Sequence, residues 1–158
     1  MRVEQLMTRP VQYCRPGDSL ARAAQLMWDH DCGCLPVCAS DGASRVVGVI
    51  TDRDVCMCAL FHNAPLADLR VAEAMAKQVT ACRASDSLAD AEALMRDARI
   101  RRLPVVDADG ALVGMISLAD LAQEAARRWA TETSELTESE ISGTLAAICK
   151  PLHRELAA

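Results

Sequence analysis

The chain has 158 residues, a formal net charge of −5 and a pI near 5.2, which argues against a polyanion as its main partner because nucleic-acid binders usually present a basic face. Half of the residues are apolar, yet with one Phe, one Tyr and two Trp the core has to be aliphatic, and a chain of this length buries enough surface to fold without a disulfide staple. No apolar run reaches the roughly 18 residues of a membrane helix, and Met1–Leu6 lacks the order of a secretory signal, so a cytoplasmic chain with eight reduced cysteines is expected, binding neither membrane nor nucleic acid.

In chain order, Val11-Gln12-Tyr13-Cys14 reads as a short strand that ends at Pro16-Gly17. Asp18 or Ser19 can cap a helix whose Leu20, Ala23, Ala24 and Met27 keep the spacing of one buried face. Leu35-Pro36-Val37-Cys38 and Val46 to Ile50 flank Asp41-Gly42, a strong hairpin signal, and the second strand leads directly into another helix. His62 to Leu69, with Asn63 and Pro65, reads as a linker.

The same order then starts again. Cys14-Arg15-Pro16-Gly17-Asp18-Ser19-Leu20-Ala21 recurs as Cys82-Arg83-Ala84-Ser85-Asp86-Ser87-Leu88-Ala89, and holding that 68-residue offset from Met7 to Gly42 gives about 17 identities in 36 positions, far beyond chance. Val79 to Cys82 is the matching first strand, Leu88, Ala91, Leu94 and Met95 the buried helix face, and Leu103 to Val106, Asp109-Gly110 and Leu112 to Ile116 the hairpin. Repeat one is expected over 3–61, the linker over 62–70, repeat two over 71–126 and a helical extension over 127–158. In that extension Thr137-Glu138-Ser139-Glu140 reads as a capping box ahead of an Ile141, Leu145, Ile148, Leu152 stripe, the alternative being a frayed tail. The fold expected is α+β: two units of strand, helix, hairpin and helix, packed sheet to sheet about a pseudo-twofold axis with a cleft on each side.

Two matched motifs carry the chemistry. Gly48-Val49-Ile50-Thr51-x-x-Asp54 and Gly114-Met115-Ile116-Ser117-x-x-Asp120 place a hydroxyl and free N–H groups where a strand hands over to a helix, a place suited to an anion. Each Asp, one helical turn on, adds a carboxylate that can accept hydrogen bonds. Thr-x-x-Asp and Ser-x-x-Asp are equally helix capping boxes that need no ligand. No Gly-x-Ser-x-Gly elbow, His-Glu-x-x-His or Walker loop occurs, and His30, His62 and His153 lie in unrelated contexts, so no enzyme is expected.

The whole pattern, Asp-Ser-Leu-x-x-Ala, then an apolar residue before Pro-Val, then Gly with two apolar residues and Ser/Thr-x-x-Asp, occurs twice in register. It resembles the tandem CBS-domain pair, or Bateman module, over about 120 residues, and is similar to the stand-alone bacterial type that includes the hypoxic-response CBS proteins. The resemblance implies a regulatory module that binds AMP, ADP, ATP or S-adenosylmethionine as a regulatory ligand, requires no cofactor, forms homodimers and signals to an unknown protein effector. It also implies clefts built from both repeats. Site A joins Val49, Ile50, Thr51 and Asp54 to Lys77, Val79, Thr80, Ile100, Arg101 and Arg102; site B joins Met115, Ile116, Ser117 and Asp120 to Val11, Gln12, Cys32, Gly33 and Cys34. Only site A is expected to carry cations beside a phosphate.

Val55, Leu60, Leu118 and Leu121 are the residues expected to pack across a dimer axis. Two alternatives stay open: a ligand-free structural or adaptor dimer, and a metal- or redox-responsive protein that uses Cys32, Cys34, Cys38, Cys56 and Cys58. Buried thiols remain the default reading of the cysteines, with no metal site assigned.

Overall fold

The computed structural model describes residues 1–41, 44–129 and 138–149. After a short 3-10 turn at Val3–Gln5, the elements are α1 (Leu20–Asp29), β1 (Cys34–Cys38), β2 (Val46–Thr51), α2 (Asp52–His62), α3 (Val71–Ala74), β3 (Cys82–Arg83), α4 (Leu88–Ala98), β4 (Arg102–Val106), β5 (Leu112–Ser117), α5 (Leu118–Trp129) and α6 (Glu138–Ile148). This is the α+β pair of repeats that the sequence implies. β1 pairs with β2 and β4 with β5, both antiparallel and both with a register shift at the same place, Val37/Cys38 and Val105/Val106.

Helices start where hydroxyls meet free amides. Ser19 Oγ accepts from the Arg22 N–H at 3.2 Å, and Ser87 Oγ from the Asp90 N–H at 3.1 Å. Just upstream, the Arg15 N–H donates to Asp18 Oδ2 and the Arg83 N–H to Asp86 Oδ2, each at 2.7 Å. Of the two cap candidates, Ser19 therefore caps α1 and Asp18 closes the preceding turn.

The first strands are shorter than their sequences suggest. Cys14 makes a single parallel bridge to Val37, and β3 is two residues long. The Cys14 N–H donates to the Pro36 carbonyl and the Cys38 N–H to that of Cys14. Extending this parallel ladder toward Gln12 would require an N–H on Pro36, and toward Thr80 one on Pro104, and proline has none. Residues 11–13 and 79–81 therefore continue beside the clefts without regular secondary structure.

The leading segment of each repeat is exchanged. Val3 and Met7 are buried among Leu88, Met95, Leu103 and Ile116 of the second repeat, whereas Leu69 and Val71 are buried among Leu20, Leu35, Val37 and Ile50 of the first. Leu69, expected in a linker, is only 5% exposed, and its carbonyl accepts from the Leu20 N–H at 2.9 Å. The exchanged chains cross the opposite hairpins at glycine. A Cβ on Gly48 would come within 2.8 Å of the Met75 sulfur and one on Gly114 within 2.4 Å of that of Met7, beside the bridges Val49–Ala76 and Thr8–Met115. At the hairpin tips, Arg45 bridges Ala111. Gly110, at φ +79, supplies the left-handed turn residue there.

Three of the four residues expected at a dimer axis are buried inside the chain. Val55 is 6% exposed, Leu118 7% and Leu121 0%, because their helical spacing turns them toward their own sheet; Leu60 and its neighbour Phe61 stand out at 66% and 75%. Helix α6 packs on α4 and α5. Ile141 and Ile148 turn inward as expected, but Leu145 is largely exposed, and the stripe is completed by fully buried Thr144, whose hydroxyl bonds to buried Glu92 and so rotates the helix. The capping Thr137 and Leu152 lie outside the described residues.

Candidate functional site: two clefts about the pseudo-twofold axis

At the start of α2, the Thr51 N–H and Oγ1 both donate to Asp54 Oδ2, at 2.9 and 2.7 Å, and the Asp54 N–H donates back to Thr51 Oγ1 at 3.2 Å. At the start of α5, Ser117 and Asp120 repeat this arrangement at 2.8, 2.7 and 3.2 Å. Both motifs are therefore complete capping boxes. Each occupies one carboxylate oxygen, and Oδ1 makes no hydrogen bond to a described residue. One side chain can serve as cap and still present an acceptor to the cleft.

The cleft beside Thr51 is a cavity of about 710 Å³. It brings together Val49, Thr51, Asp54, Thr80, Ile100, Arg101 and Arg102 of site A. Lys77 and Val79 do not line it; Ala76, Gln78 and Thr80 do, so of the three residues expected from this segment the structure brings Thr80 to the cleft. Ile50 is absent because strand β2 turns alternate side chains to opposite faces: it is 0% exposed and points into the core, between Val49 and Thr51, which face the cleft. Arg53 and Arg99 also line this cleft; Arg99 belongs to the local cluster of arginines at 96–102 whose scale suits one or two phosphates, but neither residue was assigned to site A from the sequence.

The cleft beside Ser117, about 590 Å³, contains Val11, Gln12, Cys32, Cys34, Met115, Ile116, Ser117 and Asp120 of site B, with Ile116 fully buried at its floor. Gly33 is not among them. It lines an adjoining cavity with Trp28, Cys32, Asp52 and Arg53, and a Cβ there would come within 2.7 Å of Asp52 Oδ2. Thr8, Pro10, His30, Asp31 and Leu35 also line this cleft and were not assigned to site B from the sequence.

Cys34 and Arg102 occupy matched positions in the two repeats, and each lines both clefts. The register explains this: Cys34 pairs with Thr51 and Arg102 with Ser117, so each stands beside the capping box of its own repeat while also reaching the opposite cleft. Arg102 is thus a cation of both sites, which corrects the expectation that only site A carries one. The Cys34 thiol is pushed up to about 11 by burial, with Arg102 opposing the shift. Burial raises Cys14 to about 12 and Cys38 and Cys82 to about 11, so these thiols are protonated near neutral pH. All eight cysteines are free, and no group of three or more His, Cys, Asp or Glu among the described residues could hold a metal ion. Nor is any helix among the described residues long and apolar enough to cross a membrane.

Two sheets built from a duplicated hairpin, with a capped strand-to-helix junction opening into each cleft, define a tandem regulatory module. The pattern of the CBS domain matches residues 3–59 and 71–127, and the chain belongs to the CBS-domain family. Among its relatives, the CBS domain-containing protein YhcV of Bacillus subtilis is 38% identical over 76% of this chain and 82% of its own. Hypoxic response protein 1 of Mycobacterium tuberculosis is 30% identical over 85% of each. A crystal structure of Hypoxic Response Protein I with two coordinated zinc ions superposes with a TM-score of 0.70 at 28% identity, over 78% of this chain and 98% of that one. A structure of CBSX2 in complex with AMP superposes with a TM-score of 0.68 at 29% identity, over 80% and 96%. CBS pairs are in general regulatory rather than catalytic.

Proposed function

We propose that this chain is a cytoplasmic, non-catalytic sensor that binds an adenine nucleotide or other adenosyl ligand between its two repeats and signals occupancy to a protein partner through the shape of a dimer. The observation that carries this reading is the convergence of Arg99, Arg101 and Arg102 on the cleft into which Thr51 and Asp54 open. Guanidinium forks suit phosphate oxygens, the helix N-terminus favours an anion, and Asp54 Oδ1 remains available for a ribose hydroxyl. AMP in the CBSX2 structure supports an adenosyl ligand. A thermal-shift panel of AMP, ADP, ATP, S-adenosylmethionine and zinc tests the reading: at least one adenosyl compound should raise the melting temperature, because a ligand specific to the folded state stabilises it by mass action.

The second reading, a ligand-free adaptor, is favoured by the completed capping boxes, and predicts no shift with any adenosyl compound. A zinc-responsive protein predicts a shift with zinc alone; zinc in the hypoxic-response structure is its one support, and no three His, Cys, Asp or Glu among the described residues are gathered to hold such an ion.

For the dimer, Leu60 and Phe61 take over the role first given to Val55, Leu118 and Leu121. Light scattering at micromolar concentration should give twice the chain mass, and Phe61→Glu should return the monomer; a monomeric wild type would remove the dimer from this proposal.

A further inference from the structure

The two clefts descend from one repeat, so a charge that differs at a matched position reports on what each accepts. Helix α1 ends near Asp31, and α4 ends at Arg99. Both residues have the left-handed backbone, φ 49 and 54, and both line the cleft nearest them. Asp31 is thus the counterpart of Arg99 under the 68-residue offset, with the charge reversed. The next positions change in the same sense, Gly33 for Arg101 and Cys34 for Arg102.

The outcome is four arginines (Arg53, Arg99, Arg101, Arg102) against one aspartate (Asp54) in site A, and one arginine (Arg102) with His30 against two aspartates (Asp31, Asp120) in site B, Asp31 also bordering the adjoining cavity that Arg53, Arg101 and Arg102 line. The features that would hold an adenosyl group survive in both: a Thr or Ser at the junction, an Asp with one unengaged oxygen, and apolar side chains, Val49 and Ile100 in one cleft, Met115 and Val11 in the other.

We infer that site B takes an adenosyl compound bearing no net negative charge, either a neutral nucleoside or one with a cationic substituent, while site A takes the phosphorylated form. This rests on the adenosyl-binding reading above and adds the charge class that each cleft selects. Asp31 faces the substituent in the place where Arg99 faces a phosphate. Arg102 couples the clefts: a phosphate in site A draws the guanidinium to its own side, leaving two aspartates in site B without their arginine, so the two ligand classes bind with positive coupling.

The test is calorimetric titration with ADP and S-adenosylmethionine as probes. Protein saturated with ADP should still bind S-adenosylmethionine at one site per chain, and at least as tightly as ADP-free protein does. Asp31→Asn, which keeps a side chain tolerant of the left-handed backbone, should weaken S-adenosylmethionine by about threefold to fivefold, the range of a partly exposed charge pair, and leave ADP binding to site A unchanged. Asp120→Asn should remove S-adenosylmethionine binding and spare ADP. If ADP binds and S-adenosylmethionine competes with it, or if Asp31→Asn does not weaken S-adenosylmethionine, the assignment of site B is wrong while the sensor reading stands. If neither probe nor AMP binds the wild-type chain, the sensor reading falls and the inference with it.

Discussion

Asp54→Ala should abolish most of the heat of ADP binding, and Asp120→Ala should remove little of it. Each substitution deletes the same cap, worth about 1 kcal/mol of folding stability, from the same place in its repeat, so the two variants control for one another in stability and differ only in the cleft they empty. Asp54 opens onto Arg53, Arg99, Arg101 and Arg102, and Asp120 onto Arg102 alone among the Lys and Arg side chains described. Charge-assisted hydrogen bonds exceed neutral ones by roughly a kcal/mol, so even two of the three additional guanidinium groups in contact with a phosphate separate the clefts by about tenfold or more. Arg102→Ala should weaken ADP by a similar factor and adenosine by much less, because it removes a phosphate contact and leaves the ribose acceptor. Equal losses from Asp54→Ala and Asp120→Ala would refute the asymmetry; no loss from either would leave both motifs as caps and nothing more.

The duplicated hairpin, the capping boxes and the helix faces were legible because each is a local pattern, written twice. A reader needs only the offset to see that Leu35-Pro36-Val37 and Leu103-Pro104-Val105 do one job. The exchange of leading segments was not legible: Val3 and Val71 carry no mark of which core they enter, and that choice follows from where the chain crosses Gly114 and Gly48. Which residues of the 76–80 segment reach the cleft was legible only in part: Thr80 was assigned, but beyond Ala76, which bridges Val49, the segment has no ladder partner to set the phase of its side chains. Site B's Asp31 escaped notice because it ends a helix, where an acidic residue reads as a solvated terminus; only its left-handed backbone and its match to Arg99 turn it toward a cleft. Val55, Leu118 and Leu121 were expected at a surface they do not reach because a helix that follows a sheet is apolar on its inner face in any case, and apolarity alone does not say which side is already covered; Leu60 is exposed as expected.

Raising the pH through the range from about 9 to about 11 should destabilise the fold steeply, and the cysteines should be the reason. Burial holds Cys14 up to about 12 and Cys34, Cys38 and Cys82 up to about 11, against an unfolded value of 9.0. Below the unfolded value neither state loses these protons, and the contribution to stability is fully present. Above it the unfolded chain ionises while the folded chain cannot, so stability falls with rising pH, by about 1.4 kcal/mol per pH unit for each thiol, until the folded thiols ionise in turn. Several kcal/mol is a large share of the 5–15 kcal/mol typical of a domain. Apart from the cysteines, few groups titrate in this range, for the chain has two lysines and one tyrosine. Denaturant midpoints measured between about pH 8 and 11 should show the decline. Cys38→Val should make it shallower by one thiol's share, since the matched position of the second repeat already holds Val106 and the substitution fits that strand. An unchanged slope in Cys38→Val would mean that this thiolate is solvated in the folded chain and that burial does not hold its proton.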